Sequence, residues 1–128
     1  RFSPDGRWIA SDSDESGSAE IYVRAYPGPA VKRRISPDGG WLPFWSHTGQ
    51  ELFYQTATAV FSVPILDTRD LRMGAPVRLF AHSGERLAIS ADDQRFLTLE
   101  KADASKSTSQ VNVVLNWFQD LKIRMAQK

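Results

Sequence analysis

A unit of about 43 residues recurs along this chain, and no other feature restricts its fold as strongly. Three segments place an apolar residue before a serine and a short turn: Phe2-Ser3-Pro4-Asp5-Gly6, Trp45-Ser46-His47-Thr48-Gly49 and Ile89-Ser90-Ala91-Asp92-Asp93. Their serines stand 43 and 44 residues apart. Proline presets φ at the first corner, aspartate can bond to its own following backbone, and glycine takes positive φ without a Cβ clash. In the third copy Asp93 replaces the glycine. Aspartate tolerates the left-handed region better than most residues, so that hairpin is expected to form with some loss of stability.

Each turn leads into a run that starts polar and continues with β-formers: Arg7 to Ala10, Gln50 to Tyr54 and Gln94 to Leu99. A further strand follows in each copy, at 19–24, 59–65 and 110–115, with fourth strands at 32–36 and 77–81. No internal segment sustains a 3.6-residue apolar period, which disfavours helical repeats. Four antiparallel strands in about 40–45 residues is the period of a β-propeller blade. The expected fold is all-β: a partial propeller of about two and two-thirds four-stranded antiparallel blades, ending in an α-helix.

The blades are expected within residues 1–115: an incomplete one at 1–36 without its innermost strand, a second at 41–81 and a third at 87–115. Ile35-Ser36-Pro37-Asp38-Gly39 repeats the letters of the first turn, but out of step with the period. It reads as the end of a fourth strand and an inter-blade loop, with 41–45 as the innermost strand of the next blade. Residues 101–110 form a polar, Ser-rich stretch read as an exposed loop. Residues 116–128 read as the helix. Asn116 is its N-cap, Trp117, Phe118, Leu121 and Met125 share a face, and Lys122, Arg124 and Lys128 suit the dipole at its end.

A closed propeller needs about four to eight blades. The expectation is therefore a fragment of a larger ring, or a chain whose copies complete one; the isolated piece should be a homo-oligomer, because it would expose an unpaired strand edge. Composition narrows the partners. With 16 basic and 15 acidic residues interleaved, for a net charge of +1, nothing draws the chain to nucleic acid. Lys32-Arg33-Arg34, the densest basic cluster, reads as a solvated strand end. No apolar run approaches the roughly 20 residues of a membrane helix, so no insertion is expected. The absence of cysteine excludes disulfides and thiolate chemistry and leaves the compartment open, cytoplasmic or extracytoplasmic.

Several residues have chemistry to weigh. His82, Ser83 and Asp92 are the members available to a serine-hydrolase site, but no Gly-x-Ser-x-Gly elbow accompanies them. His47 and His82 read as exposed loop histidines rather than metal ligands, since no second histidine stands at ligand spacing. Asp12 and Asp14, with Glu15, have the alternating spacing of a calcium loop, yet Val23 stands where an EF-hand needs glutamate. A hairpin turn explains them better. Trp8, Trp41 and Trp45, with His47, are candidates for holding a ligand, and large aromatics also fill the spaces between blades. No cofactor is expected.

The runs Phe2 to Ala10 and Glu20-Ile21-Tyr22-Val23 resemble the WD40-like (PD40) repeats of the TolB propeller family. Tyr26-Pro27-Gly28-Pro29, the stretch Gly39 to Ser46, Glu51-Leu52-Phe53-Tyr54 and the stretch Val111 to Phe118 are similar to the C-terminal end of bacterial proteins carrying such propellers. Many of those are serine/threonine protein kinases with the propeller as a sensor-like C-terminal domain. The chain departs from the pattern at His47-Thr48 and at Ala91-Asp92-Asp93. The resemblance implies a non-catalytic module that binds a protein, peptide or small ligand. The alternative is a small serine-type esterase or peptidase, or the propeller of a prolyl-peptidase-like enzyme. No phosphate-binding Gly-rich loop or kinase catalytic loop is present in this chain.

Overall fold

The computed structural model describes residues 1–29, 32–83 and 86–99, and the backbone of 111–115. It divides into two compact units, Arg1–Ala81 and His82–Lys128. All strand pairing among the described residues is antiparallel, and no helix occurs among them. The helix expected over 116–128 and the loop expected over 101–110 lie outside the described residues.

The first unit holds two sheets. In one, β1 (Trp8–Ser13), β2 (Glu20–Ala25) and β3 (Arg33–Arg34) lie side by side in chain order. Ahead of β1, Phe2 bridges Ile9, and the Ala10 N–H donates to the Arg1 carbonyl at 2.8 Å. Residues 1 and 2 thus pair with β1 ahead of the first turn. The fourth strand expected over 32–36 is confined to β3, and the segment 35–40 carries no strand. Its Ser36 hydroxyl accepts the Ile21 N–H at 2.9 Å and donates to the buried Glu20 carboxylate at 2.5 Å, which the Arg34 guanidinium also meets at 3.5 Å.

The second sheet runs β4 (Trp41–Trp45), β5 (Glu51–Gln55) and β6 (Ala59–Asp67), and the far edge of β6 is shared. Its first half pairs with β8 (Val77–Ala81) and its second half with β7 (Arg72–Met73). The change of partner falls around Pro64, which has no N–H to donate to either. The Gly74 N–H donates to the Pro64 carbonyl at 2.8 Å, and a Cβ on Gly74 would sit 2.8 Å from the Pro64 ring. Only glycine fits there without displacement. β7 has no sequence signal, being two residues long and held by this long-range pairing.

Ala10, Ile21 and Val23 from the first sheet, with Ile35 just beyond β3, meet Trp45, Leu52, Tyr54, Val63 and Leu71 in one core, flanked by Trp8, Phe61, Ile65 and Met73. Each large apolar side chain buried there contributes about 1.5–3 kcal/mol. Every residue of β5 is buried, so the strand is covered on both faces. Tyr54 stacks on Phe61 at 5.3 Å between ring centroids, and burial pushes its phenol up to about 12.

In the second unit β9 (Arg86–Ile89), β10 (Arg95–Leu99) and β11 (Val111–Leu115) form a sheet with β10 in the middle. Along β10, Phe96 and Thr98 are buried while Arg95, Leu97 and Leu99 are exposed, the period of two of a strand with distinct faces.

Candidate functional site

The three repeated turns share one hydrogen-bond scheme. In the first, the Ser3 hydroxyl accepts the Trp8 N–H at 3.0 Å and donates to Asp5 Oδ1 at 2.6 Å, which also takes the Arg7 N–H at 3.1 Å. In the third, the Ser90 hydroxyl accepts the Arg95 N–H at 3.0 Å and bonds to Asp92 Oδ1, which takes the Gln94 N–H at 3.1 Å. The second turn does the same with a hydroxyl. Ser46 Oγ accepts the Glu51 N–H at 3.1 Å and lies 3.2 Å from Thr48 Oγ1, which takes the Gln50 N–H at 3.4 Å. The fourth corner is left-handed in each, with φ of 72° at Gly6, 72° at Gly49 and 55° at Asp93. The marker serine is thus a bracket across the hairpin, and Asp93 adopts the conformation its place requires.

The first two turns come together. A Cβ on Gly49 would touch the Pro4 ring at 3.4 Å, so the turns abut. Beside them opens a cleft of about 360 Å³ lined by Ser3, Pro4, Asp5, Trp8, Trp45, Thr48, Gly49, Ile65, Thr68 and Leu71. Trp45 and Leu71 are buried and lie deep; Pro4, Asp5, Thr48 and Thr68 are exposed and lie at the mouth. Both indoles are anchored through their N–H groups. Trp8 Nε1 donates to the Thr68 carbonyl at 2.8 Å, and Trp45 Nε1 to the Arg1 carbonyl at 3.2 Å. Asp67 Oδ1 accepts the Arg69 N–H at 2.8 Å, a side-chain turn that shapes the loop presenting Thr68. At the end of that loop Leu71 has φ of 48°, an arrangement costing about 1–2 kcal/mol for a residue with a Cβ. Its burial in the core and the Arg33 guanidinium on its carbonyl at 3.2 Å hold it there.

Among the described residues, Asp5 is the charged one in the cleft's lining. The Ser3 hydroxyl holds its carboxyl below the ordinary 3.8, aided by the Arg7 N–H and guanidinium and opposed by slight desolvation. Arg7 Nε lies 4.0 Å from Asp5 Oδ2, a long contact between exposed groups. Asp92 is likewise held low, chiefly by Ser90.

Of the tryptophans expected to hold a ligand, Trp8 and Trp45 share this cleft. Trp41 lies elsewhere, at the exposed start of β4 next to Leu42, whose φ is 53°. His47 is exposed in the second turn, outside the lining. His82 departs from the exposed loop histidine expected: it is 2% exposed, and neither ring nitrogen has a hydrogen-bond partner. Ser83 is exposed, and Asp92 is engaged with Ser90, Gln94 and Arg95, so no hydrogen-bonded chain joins His82, Ser83 and Asp92. Asp12 lies within β1 opposite Ile21, while Asp14 belongs to the following turn and accepts the Gly17 N–H through its backbone carbonyl at 2.8 Å. No group of three or more His, Asp or Glu side chains is placed to hold a metal among the described residues. No helix among them is long and apolar enough to cross a membrane.

Asp5, Thr48, Ile65, Thr68 and Leu71 were not singled out as ligand residues by their types. The repeat of the turn was the available signal for Asp5 and Thr48; the loop residues have none. A scan against models of protein families matched none, and a search of curated proteins found no match.

Proposed function

We propose that this chain is a non-catalytic section of β-propeller that binds a protein or peptide, its ring completed by further copies or by the rest of a longer protein. The observation that carries the binding reading is the cleft with Trp8 and Trp45 in its walls, between equivalent turns of successive meanders. Its walls are mainly apolar with a few polar groups at the mouth, the make-up of ligand clefts generally, and its volume is near the lower end of their ~300–1,000 Å³ range. The propeller reading rests on the 43- and 44-residue spacing, the antiparallel meander within each repeat and the common turn bracket. A sensor role at the end of a bacterial kinase follows from the sequence resemblance alone.

Panning a display library of random dodecapeptides on the immobilised chain is expected to enrich binders that shift the Trp8 and Trp45 indole N–H resonances. Enrichment no better than on bare support overturns the binding reading. Light scattering behind size exclusion is expected to show a defined multimer of the isolated chain, and a stable monomer overturns completion by copies. Turnover of a p-nitrophenyl ester that disappears in Ser83→Ala would establish the hydrolase alternative instead.

A further inference from the structure

We propose that the cleft takes the side chain of an arginine presented by a partner peptide, with the guanidinium meeting Asp5 at the mouth and the methylene stem lying between Trp8 and Trp45. This rests on the binding reading above and names its ligand chemistry.

The cleft's polar groups select for a cation. The indole N–H groups of Trp8 and Trp45 and the Ser3 hydroxyl proton are already given to protein acceptors, so these groups do not solicit an anion. What the lining offers instead is one carboxylate. Asp5 Oδ1 is occupied by Ser3 and the Arg7 N–H, and among the described residues Oδ2 faces the guanidinium of Arg7 at 4.0 Å. That contact is long and more than a third exposed on both sides, so an incoming cation displaces it at little cost. The carboxyl is held in its charged form by its neighbours.

The apolar depth decides which cation. Trp8, Trp45, Ile65 and Leu71 give the methylene stem of such a cation an apolar path. Arginine's guanidinium is weakly hydrated and gives up little on entering a cleft with apolar walls, whereas lysine's ammonium holds its water more tightly. A space of about 360 Å³ suits one long side chain with part of its backbone. Because each indole is pinned through its N–H, the walls stand ready before the ligand arrives.

The test uses four capped pentapeptides, Ac-Gly-Gly-X-Gly-Gly-NH2 with X arginine, lysine, glutamine or norleucine, titrated into the intact chain. Binding is read from the indole N–H resonances of Trp8 and Trp45. The arginine peptide is expected to bind about three- to tenfold more tightly than each of the other three, and to weaken by a similar factor in Asp5→Asn. Thr48→Asp, which places at the second turn the residue type that the first turn already accommodates, is expected to tighten it. That gain keeps the proposal testable if Asp5→Asn loosens the fold. Equal binding of the lysine, glutamine or norleucine peptide overturns the arginine assignment while leaving the cleft a binding site. Indifference of the arginine peptide to both substitutions overturns it as well. No response to any peptide, with library binders still shifting both indoles, overturns the arginine assignment alone; silence in both experiments removes the binding reading too.

Discussion

The turns at Ser3 and Ser46 have one backbone and two chemistries. Each closes its hairpin through a serine hydroxyl and places a left-handed glycine at the fourth corner, with φ of 72° in both. Between them, the first uses the Asp5 carboxylate to receive the next amide and the second uses the Thr48 hydroxyl. The repeat therefore specifies an acceptor on a short side chain rather than one residue type. Charge is the part left free to differ. One side of the cleft is anionic and the other neutral, although the two hairpins are equivalent in geometry.

The largest expected effect tests the serine bracket. The Glu51 amide that Ser46 satisfies is buried, so Ser46→Ala should cost about 1–3 kcal/mol, read as a drop in the urea midpoint. The corresponding bond in the third turn is exposed, and water can replace it. Ser90→Ala should therefore cost under about 1 kcal/mol, read as faster exchange of the Arg95 amide. Equal losses at the two serines would break the claim that burial sets the value of the bracket.

Next in size is the left-handed corner. Alanine at Gly6 or Gly49 should cost about 1–2 kcal/mol, because each must keep positive φ with a Cβ. A Cβ at Gly6 meets nothing within 4 Å, and one at Gly49 meets Pro4 at ordinary contact distance, so the two losses should match. A clearly larger loss at Gly49 would mean that the abutting turns support each other.

The smallest effect separates carboxylate from hydroxyl. Asp5 and Asp92 have folded pKa values below the ordinary 3.8, held there first by Ser3 and Ser90. A depressed carboxyl contributes its stability above the unfolded pKa and loses it as pH falls through the folded one. The first and third turns should thus loosen on acidification from about pH 4 downward, and the second should not. The Arg7 and Gln94 amide resonances should report this titration while that of Gln50 stays flat. A matching step at Gln50 would sink the distinction.

Much of the secondary structure was legible because its causes are local. The spacing alone separates the out-of-step Ile35 to Gly39 segment from the three repeated turns, but the strand expected to run to Ser36 stops at Arg34. Asp93 in a glycine's place was readable as a tolerated left-handed corner, and it has φ of 55°. The candidate site is half legible: aromatic bulk points to Trp8 and Trp45, but equally to Trp41, which lies outside the lining. Residue type states what a side chain can do and not where it ends up.

By itself, then, the amino-acid sequence determined the hairpins, their period and the apolar strands between them. Each depends on φ preferences and side-chain bonds spanning only a few residues. Tertiary structure decided the rest. It joined residues near 3–8, 45–49 and 65–71 into one cleft, paired β7 with the far half of β6, buried His82 and held Leu71 at φ of 48°. These are outcomes of distant surfaces packing together, and packing has no short-range signature. The serine brackets at 43- and 44-residue intervals announced that the hairpins would recur; only the assembled core set two of them beside one cleft.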